Sequence, residues 1–541
     1  MSLASGPAEW SRGGGQRGDE RQRIATVRWR NGVAMEEQQF AALAETHSAV
    51  VYFAGDRAFK LKKPVKLDFL DFSTPHSRAA ACARETELNR RFAPDVYLGV
   101  AEVRAPSGHV CDHLVVMRRM PASSRLSALI GAREPAGPAV RQVARILATQ
   151  HATANRTAQI SQQGSRDATW QRWHDNIDQL RAAARDEIVP DTEIKEAGRL
   201  ADRFLAGRQE LFDARTRSGR IVDGHGDLMA EDIFCLDDGP RILDCLDFDD
   251  KLRWVDGLDD ASFLAMDLGQ LGAPDLAEQF IRWYSEYSGD PAPTALRHHY
   301  VAYRAIVRAK VACIRARQGD RAAPGQARHL LAAALQHLRA GAVTLVLVGG
   351  PPGTGKSALA DAIAEQLGFT VLSSDRIRKE LAGIEPDQHV PADYGTGIYT
   401  QSWAERTYAE IVRRAIVLLG LGESVVLDAS WTSAQHRQAV VAAADRTCAD
   451  LVQLRCSAPL PVIAKRISTR IGGVSDATPT IAARLAAEQE PWPGATVVDT
   501  ADQAGPACSS PLDPVRLALE AIRPHGPAYV WRPVRPYMAP D

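Results

Sequence analysis

The sequence predicts two bodies in tandem: an α+β region over residues 36–325, and an α/β domain with helices on both faces of a mainly parallel sheet over residues 341–500. Three observations predict this. At 541 residues the chain is too long for one hydrophobic core. From residue 343 onward, strand-like apolar runs alternate with helical spacing, the pattern of a parallel sheet with helical crossovers. In the first half, a hairpin, a helix and further strands precede a long helical stretch, and the two halves share no repeat.

The elements follow in order. Residues 1–35, with Gly13-Gly14-Gly15 and dense charge, predict a disordered segment. Ala49–Phe53 reads as a strand, Gly55-Asp56 as a turn and Ala58–Leu61 as its hairpin partner. Ser77–Phe92 has helical spacing, and Val96–Val103 and His113–Met117 read as strands. Residues 140–215 are helical by spacing, Ile221–Leu228 and Asp232–Asp249 are short apolar runs broken by turns, and 256–340 is helical again. The boundary falls near Gln318–Pro324 or just before Gly341. The second domain runs strand 343–348, helix 358–367, strand 370–373, helix 402–420, strand 424–428, helix 434–446 and strand 450–455. Residues 501–541 read as a proline-rich tail with a short helix around Pro514–Ile522.

Composition excludes several functions. Lys and Arg number 65 against 66 Asp and Glu, so no global charge draws the chain to nucleic acid or to an anionic membrane. No apolar run reaches the roughly 18 residues of a membrane span, and the first 23 residues lack the apolar stretch of a secretory signal. Eight cysteines lie scattered with no C-x-x-C pair, which fits reduced thiols in a cytoplasmic protein rather than a disulfide framework or a zinc site.

Gly350-Pro351-Pro352-Gly353-Thr354-Gly355-Lys356-Ser357 fits G-x-x-x-x-G-K-[ST], with a buried-strand run before it and a helix after it. Gly350, Gly353, Thr354 and Gly355 would let backbone N–H groups surround an anion, and the helix N-terminus adds positive potential. Lys356 would reach the β- and γ-phosphates of ATP, and the Ser357 hydroxyl would hold Mg²⁺. Beyond the next strand, Asp375 and Arg378 lie three apart on one helix face. Asp375 suits a general base at a strand end and Arg378 an anion holder on the acceptor. Capping of a helix Arg376–Ala382 by Asp375 would be compatible with that role. Asp428 ends the apolar strand Ser424–Leu427, where a carboxylate meets Mg²⁺ or the acceptor. Arg466 and Arg470, at i and i+4 before Gly472-Gly473, suit a lid over phosphates or else a solvated basic face.

GGPPGTGKS, SSDRIRK, VVLDASW and the arginine pair together resemble the phosphate-loop kinases of the polynucleotide-kinase and zeta-toxin type. The resemblance implies Asp375 as general base and Arg378 on the acceptor. Kinases of this type phosphorylate nucleic-acid ends, nucleotide sugars or small hydroxyl compounds, so the acceptor stays open.

A second constellation lies upstream. Ile221-Val222-Asp223-Gly224-His225-Gly226-Asp227-Leu228 is followed by Asp232, then by a strand that runs into Asp244, Cys245, Leu246 and Asp247. A base, a second oxygen ligand five positions on and a strand-end carboxylate is the arrangement protein kinases use with Mg²⁺. The stretch resembles the aminoglycoside phosphotransferase family, which implies a bilobal, protein-kinase-like fold. Asp227 matches that family's catalytic Asp. Asp232 stands where the family has Asn, and the metal Asp is Asp247, with Asp244 close behind. Asp256 and Asp260 resemble the closing D-P-x-x-D segment, with Gly257 in place of proline. On the hairpin, Lys60 is the candidate partner of the α- and β-phosphates, with Glu85 to hold it. A G-x-G-x-x-G loop is missing from residues 53–56.

The whole looks like a bacterial branch in which such a lobe pair is fused to a phosphate-loop kinase. The expected activity is an ATP- and Mg²⁺-dependent phosphotransferase. Its acceptor would be a small hydroxylated or amino-sugar-like molecule or a nucleic-acid end, with no membrane and no obligate protein partner. The alternative is one active phosphate-loop site with a regulatory, substrate-binding N-terminal half. Trp170, Trp173, Asp175 and Asp178 have the spacing of helix core and surface, and assign no substrate.

Overall fold

The computed structural model describes residues 42–45, 48–67, 70–184, 188–385, 388, 395–469, 478–501 and 513–522. The N-terminal segment expected to be disordered, Arg470 and the glycine pair 472–473 lie outside these residues. The chain divides into two compact units, residues 1–120 and 121–541.

The first unit is an antiparallel sheet with one helix. Its strands are β1 (Ala42–Glu45), β2 (Ala49–Ala54), β3 (Arg57–Lys62), the two-residue pair β4 (Lys66–Leu67) and β5 (Leu70–Asp71), β6 (Tyr97–Arg104) and β7 (Val110–Arg118). The main sheet runs β1-β2-β3-β7-β6, all antiparallel. The expected hairpin is β2–β3, turned at Gly55-Asp56; β1 was not anticipated. Helix α1 (Pro75–Asn89) starts two residues earlier than its spacing suggests, because Thr74 and Ser77 form a reciprocal capping box and Pro75 pre-sets the first turn. It packs against β6 and β7 through a face that includes Cys82, Glu85 and Leu88.

The second unit begins with helices α2 (Leu126–Gly131), α3 (Gly137–Thr153), α4 (Ala158–Gln163), α5 (Arg166–Ala184), α6 (Asp191–Ala206) and α7 (Gln209–Arg217). Short strands β8 (Ile221–Asp223), β9 (Ile233–Leu236), β10 (Gly239–Ile242) and β11 (Trp254–Asp256) follow, paired β8–β11 and β9–β10. Then come α8 (Gly257–Gln270), α9 (Pro274–Ser288), α10 (Thr294–Arg317) and α11 (Ala323–Ala340). Of the two expected boundaries, the one near 318–324 falls at the start of α11, which packs along α10, and the one just before Gly341 coincides with the end of α11, shortly before the next strand.

That strand, β12 (Thr344–Gly349), is the centre of a five-stranded sheet with β13 (Thr370–Ser373), β14 (Val425–Asp428), β15 (Asp450–Ser457) and β16 (Thr496–Asp499). The order is β13-β14-β12-β15-β16 and every pairing is parallel. The crossovers are α12 (Lys356–Leu367), α13 (Ser374–Leu381), α14 (Gln401–Gly420), α15 (Ala434–Arg446), α16 (Leu460–Ser468) and α17 (Pro479–Ala487). Every residue of β12 is buried, as a strand covered on both faces must be. Val346 and Val348 pack with Leu359 and Ile363 of α12 on one face, while Leu345 and Leu347 point to the other. The expected tail contributes α18 (Pro514–Ile522), whose Ala518 and Ile522 close that same core, so this helix is part of the domain. No helix of the described residues is long and apolar enough to cross a membrane.

Candidate functional site

The strand–loop–helix expectation at residues 350–357 holds in detail. The loop leaves β12 at Gly349 and enters α12 at Lys356, with Gly355 at the N-cap in a left-handed conformation (φ 84°). Gly353 is also left-handed (φ 82°), and a Cβ there would lie 3.0 Å from both Ile463 and Ile467 of α16, so two constraints demand glycine. The first N–H groups of α12 have no acceptor within their own helix and are available to an anion. The Lys356 Nζ donates to the carbonyl of Pro351 at 3.3 Å, curling back over the loop.

Parallel pairing sets Asp428 at the end of β14 opposite Val348 and Ser373. The Ser357 hydroxyl donates to Asp428 Oδ2 at 2.7 Å. Both are hard oxygen donors, the type Mg²⁺ takes together with phosphate oxygens and water, so this pair fits the cation that the motif implies. Burial pushes the Asp428 carboxyl up; Lys356 and the Ser357 hydrogen bond oppose that push, and the charges of Asp375 and Asp361 add to it. A bound cation would relieve that cost.

Asp375 and Arg378 form an ion pair of 2.8 Å on the first turn of α13. The helix begins at Ser374 with Ser373 at its N-cap position, so Asp375 is not the cap. The Arg378 guanidinium lies 5.0 Å from the Tyr399 ring, and its Nε is buried with no hydrogen-bond partner among the described residues. Arg466, expected over phosphates, instead donates its Nη2 to the carbonyls of Thr500 at 2.6 Å and Ala501 at 3.4 Å. Thr500 went unread in the sequence: fully buried, it donates its hydroxyl to Thr354 O at 2.6 Å and so ties the end of β16 to the phosphate loop.

In the first unit, Glu85 takes two lysines. Lys60 Nζ reaches Oε1 and Lys62 Nζ reaches Oε2, each at 2.8 Å. The two lysines are two apart on β3 and therefore share one face. The Lys62 side chain is 5% exposed and lies over the Phe72 ring, whereas that of Lys60 is 20% exposed. The expected Lys60–Glu85 pair is present, and Lys62 is its unanticipated second member.

The loop carrying Asp227 is held from α8. Asp260 accepts from the backbone N–H of His225 at 2.7 Å and of Gly226 at 2.8 Å, and lies 3.0 Å from His151 Nε2. His151 Nδ1 in turn meets the Tyr284 hydroxyl at 2.8 Å. A Cβ at Gly224 would lie 2.5 Å from Asp260 Oδ2, which explains glycine there. At Gly257, where the family pattern has proline, a Cβ would lie 2.4 Å from the Tyr284 hydroxyl and 2.9 Å from His151, which explains the departure. Asp256 caps α8 through the Leu258 N–H and pairs with Arg215 at 2.6 Å, a structural role.

Asp227 itself is half-buried. Burial raises its carboxyl; Arg308 and Arg304 oppose the rise, and Asp244 and Asp260 add to it. Asp244 sits at φ 62°, a left-handed conformation that costs a non-glycine residue energy. Its flanks are tied to the Asp227 loop: His225 Nε2 lies 3.0 Å from Leu243 O, and Leu246 N–H donates to His225 O at 3.1 Å. The backbone carbonyl of Asp232 accepts from Leu243 N–H at 2.9 Å. Asp244 is thus near enough to Asp227 to act on it by charge, Asp232 is tied by its backbone to the residue before Asp244, and Asp247 follows three residues further along the chain. Trp173 is buried and donates its Nε1–H to His299 at 2.9 Å, so it is core. His151, Tyr284, Asp267, Arg304 and Arg308 were not singled out in the sequence. Only the Asp260 match pointed toward them.

A family model described as an AAA domain matches residues 345–490. Uncharacterised proteins of Mycobacterium tuberculosis and Mycobacterium bovis are each 46% identical over 466 residues, 86% of this chain and 93% of theirs. Among solved structures, a choline/ethanolamine kinase family protein from Mesorhizobium loti is 15% identical with a TM-score of 0.35, covering 55% of this chain and 92% of that one. A gluconokinase from Sinorhizobium meliloti is 22% identical with a TM-score of 0.23, covering 33% of this chain and 91% of that one.

Proposed function

The chain belongs to the family of these mycobacterial proteins, and we propose that it is an ATP-dependent phosphotransferase with two sites, one around the phosphate loop and one around Asp227. The observation that carries the reading is the 2.7 Å contact of Ser357 with Asp428 next to Lys356. A phosphate cradle, a cation-holding pair and a base candidate one strand away are more than a binding module needs.

At the phosphate loop, the backbone N–H groups of residues 353–357 and Lys356 hold the β- and γ-phosphates. Ser357 and Asp428 would hold Mg²⁺, which when bound would offset charge on the transferring phosphoryl group. Arg378 positions the acceptor, and Asp375 takes the proton of its hydroxyl as the oxygen bonds to the γ-phosphorus and the bridging bond to ADP breaks. Arg466 keeps its Nη2 on the carbonyls of Thr500 and Ala501, which leaves its Nη1 without a partner among the described residues.

At the second site, Asp227 takes the corresponding base role. In the first unit, taken by itself, Lys60 braced by Glu85 is a candidate partner of nucleotide phosphates. Asp232 and Asp244 would hold the cation there. Asp244 is preferred to Asp247 because its strained backbone and its charge coupling to Asp227 single it out. A regulatory N-terminal half is the second reading, favoured by Asp232 in place of Asn and by the bare turn at residues 53–56.

The test is ATP consumption by the Mg²⁺-loaded full chain, with Lys356→Ala and Asp227→Ala, across hydroxylated small molecules and oligonucleotide ends. Loss of transfer to a different acceptor in each variant supports two sites. Complete loss in Lys356→Ala with no change in Asp227→Ala sinks the two-site reading and leaves the regulatory one.

A further inference from the structure

We propose that the acceptor at the Asp227 site is a small polyhydroxylated anion, bearing a carboxylate or a phosphate, and that Arg304 and Arg308 recognise its charge. This rests on the reading of Asp227 as a phosphotransfer base. The two arginines are four apart on α10 and share one face of that helix. The Arg304 Nε donates to Asp259 Oδ1 at 2.7 Å, and its guanidinium lies over the rings of Phe263 and Tyr303 at 4.9 and 5.5 Å. Asp259 is the neighbour of Asp260, which grips the Asp227 loop. Arg304 is 95% buried (5% exposed), yet its Nη2 has no hydrogen-bond partner among the described residues.

A buried guanidinium donor left without a partner costs about 1–3 kcal/mol, so its presence beside a catalytic loop points to a partner that arrives with substrate. Arg308, one turn on and half-buried, acts by charge on Asp227 and Asp267, and makes no hydrogen bond or ion pair among the described residues. Asp267 is fixed on the other side by the Ala230 N–H at 2.8 Å.

Arg304 is already matched by Asp259, but Arg308 is not so matched among the described residues, and an acceptor amine would meet that cation beside Asp227. A carboxylate or phosphate would instead be held by two guanidinium groups while its hydroxyl faces Asp227, the geometry in which arginine outperforms lysine. The amino-sugar-like acceptor considered from the sequence is therefore disfavoured at this site.

The experiment uses the full chain carrying Lys356→Ala, which silences the phosphate-loop site, with Mg²⁺ and ATP or a non-hydrolysable analogue. Gluconate, glucose 6-phosphate, glucose and glucosamine serve as probes, with calorimetric binding and labelled-phosphate transfer as readouts. Gluconate, glucose 6-phosphate or both are expected to bind, and which of them does so separates carboxylate from phosphate recognition. Arg308→Gln is expected to raise the dissociation constant of the bound anion about tenfold or more, leaving nucleotide affinity and melting temperature unchanged. Arg308→Lys should recover part of the loss.

Preferential binding of glucosamine, an Arg308→Gln variant with unaltered anion affinity, or no anion binding at millimolar concentration would each overturn the proposal. The two readings can fail separately. Arg308-dependent anion binding without Asp227-dependent transfer keeps the anion site and removes the base. Asp227-dependent transfer to glucose or glucosamine alone keeps the base and removes the anion site.

Discussion

Glu85 divides its two oxygens between two lysines, and their burial separates their tasks. Lys62, 5% exposed and over the Phe72 ring, cannot leave Glu85 without exposing a buried ammonium to an apolar wall. Lys60 is the freer of the two, so the proposed nucleotide role falls to it. Lys62→Met should therefore lower the melting temperature, while Lys60→Met should weaken ATP binding at this site with the melt nearly unchanged. Paired melting curves and nucleotide titrations check this, and the reverse pattern would exchange the two assignments. Asp267 supplies a pH signature. Burial raises it from 3.8 to about 6, with the Ala230 hydrogen bond and Arg308 opposing and Asp227 adding. A raised carboxyl contributes stability that is complete below its unfolded value and is lost as pH rises through the folded one. The loss is at most about 3 kcal/mol between pH 4 and 7. Asp267→Asn keeps an acceptor for Ala230 but cannot ionise, so its melting temperature should fall less than that of the wild type across this interval. Parallel slopes in a pH series of melts would exclude the effect.

At the scale of elements, α16 packs closely against the phosphate loop at Gly353. Gly353→Ala places a Cβ 3.0 Å from Ile463 and Ile467 at a φ of 82°. The substitution should reduce affinity for a non-hydrolysable ATP analogue more than tenfold, or about 1.4 kcal/mol, read by titration calorimetry. Unchanged affinity would mean that the loop adapts. This element was legible in the sequence because its whole signal is local: an apolar strand, fixed glycines, Lys356, Ser357 and a helix within 25 residues. Asp428 was legible for a related reason, since a strand-end carboxylate in a parallel sheet lands beside the loop wherever the strand sits in sequence. Thr500 was not, because β16 is a short strand with only Val497 and Val498 to mark it. His151 and Tyr284 were hidden for another reason. His151 reaches Asp260 across 109 positions and Tyr284 across 133, and a lone His or Tyr on a helix carries no periodic signal. The choice of Asp244 over Asp247 likewise rests on a backbone angle that residue types do not disclose.

At the scale of the second unit, the helical region and the phosphate-loop domain meet in a buried seam. A Cβ at Gly207 would lie 2.0 Å from the carbonyl oxygen of Thr447, so the two backbones touch where only glycine fits. Next to it Arg208, 1% exposed, donates to that same carbonyl at 2.7 Å. Burial lowers Arg208 to about 10, which leaves it cationic at neutral pH and held there by backbone carbonyls. Arg203 adds a 2.7 Å ion pair with Asp450, the first residue of β15, and Gly422 lies against Pro293 and Leu211. Because β15 pairs with β12 along its length, a displacement at Asp450 would bear on the strand that carries the phosphate loop. Residues 121–541 should consequently unfold as one cooperative body in the wild type. Arg208→Ala strands the Thr447 carbonyl and opens a cavity. Gly207→Val forces the backbones apart. Either should split the calorimetric transition in two, with the phosphate-loop domain retaining a melt that shifts upward on adding Mg²⁺ and an ATP analogue. A single transition in both variants, at the wild-type temperature, would show that the seam couples nothing and that α11 alone joins the two regions.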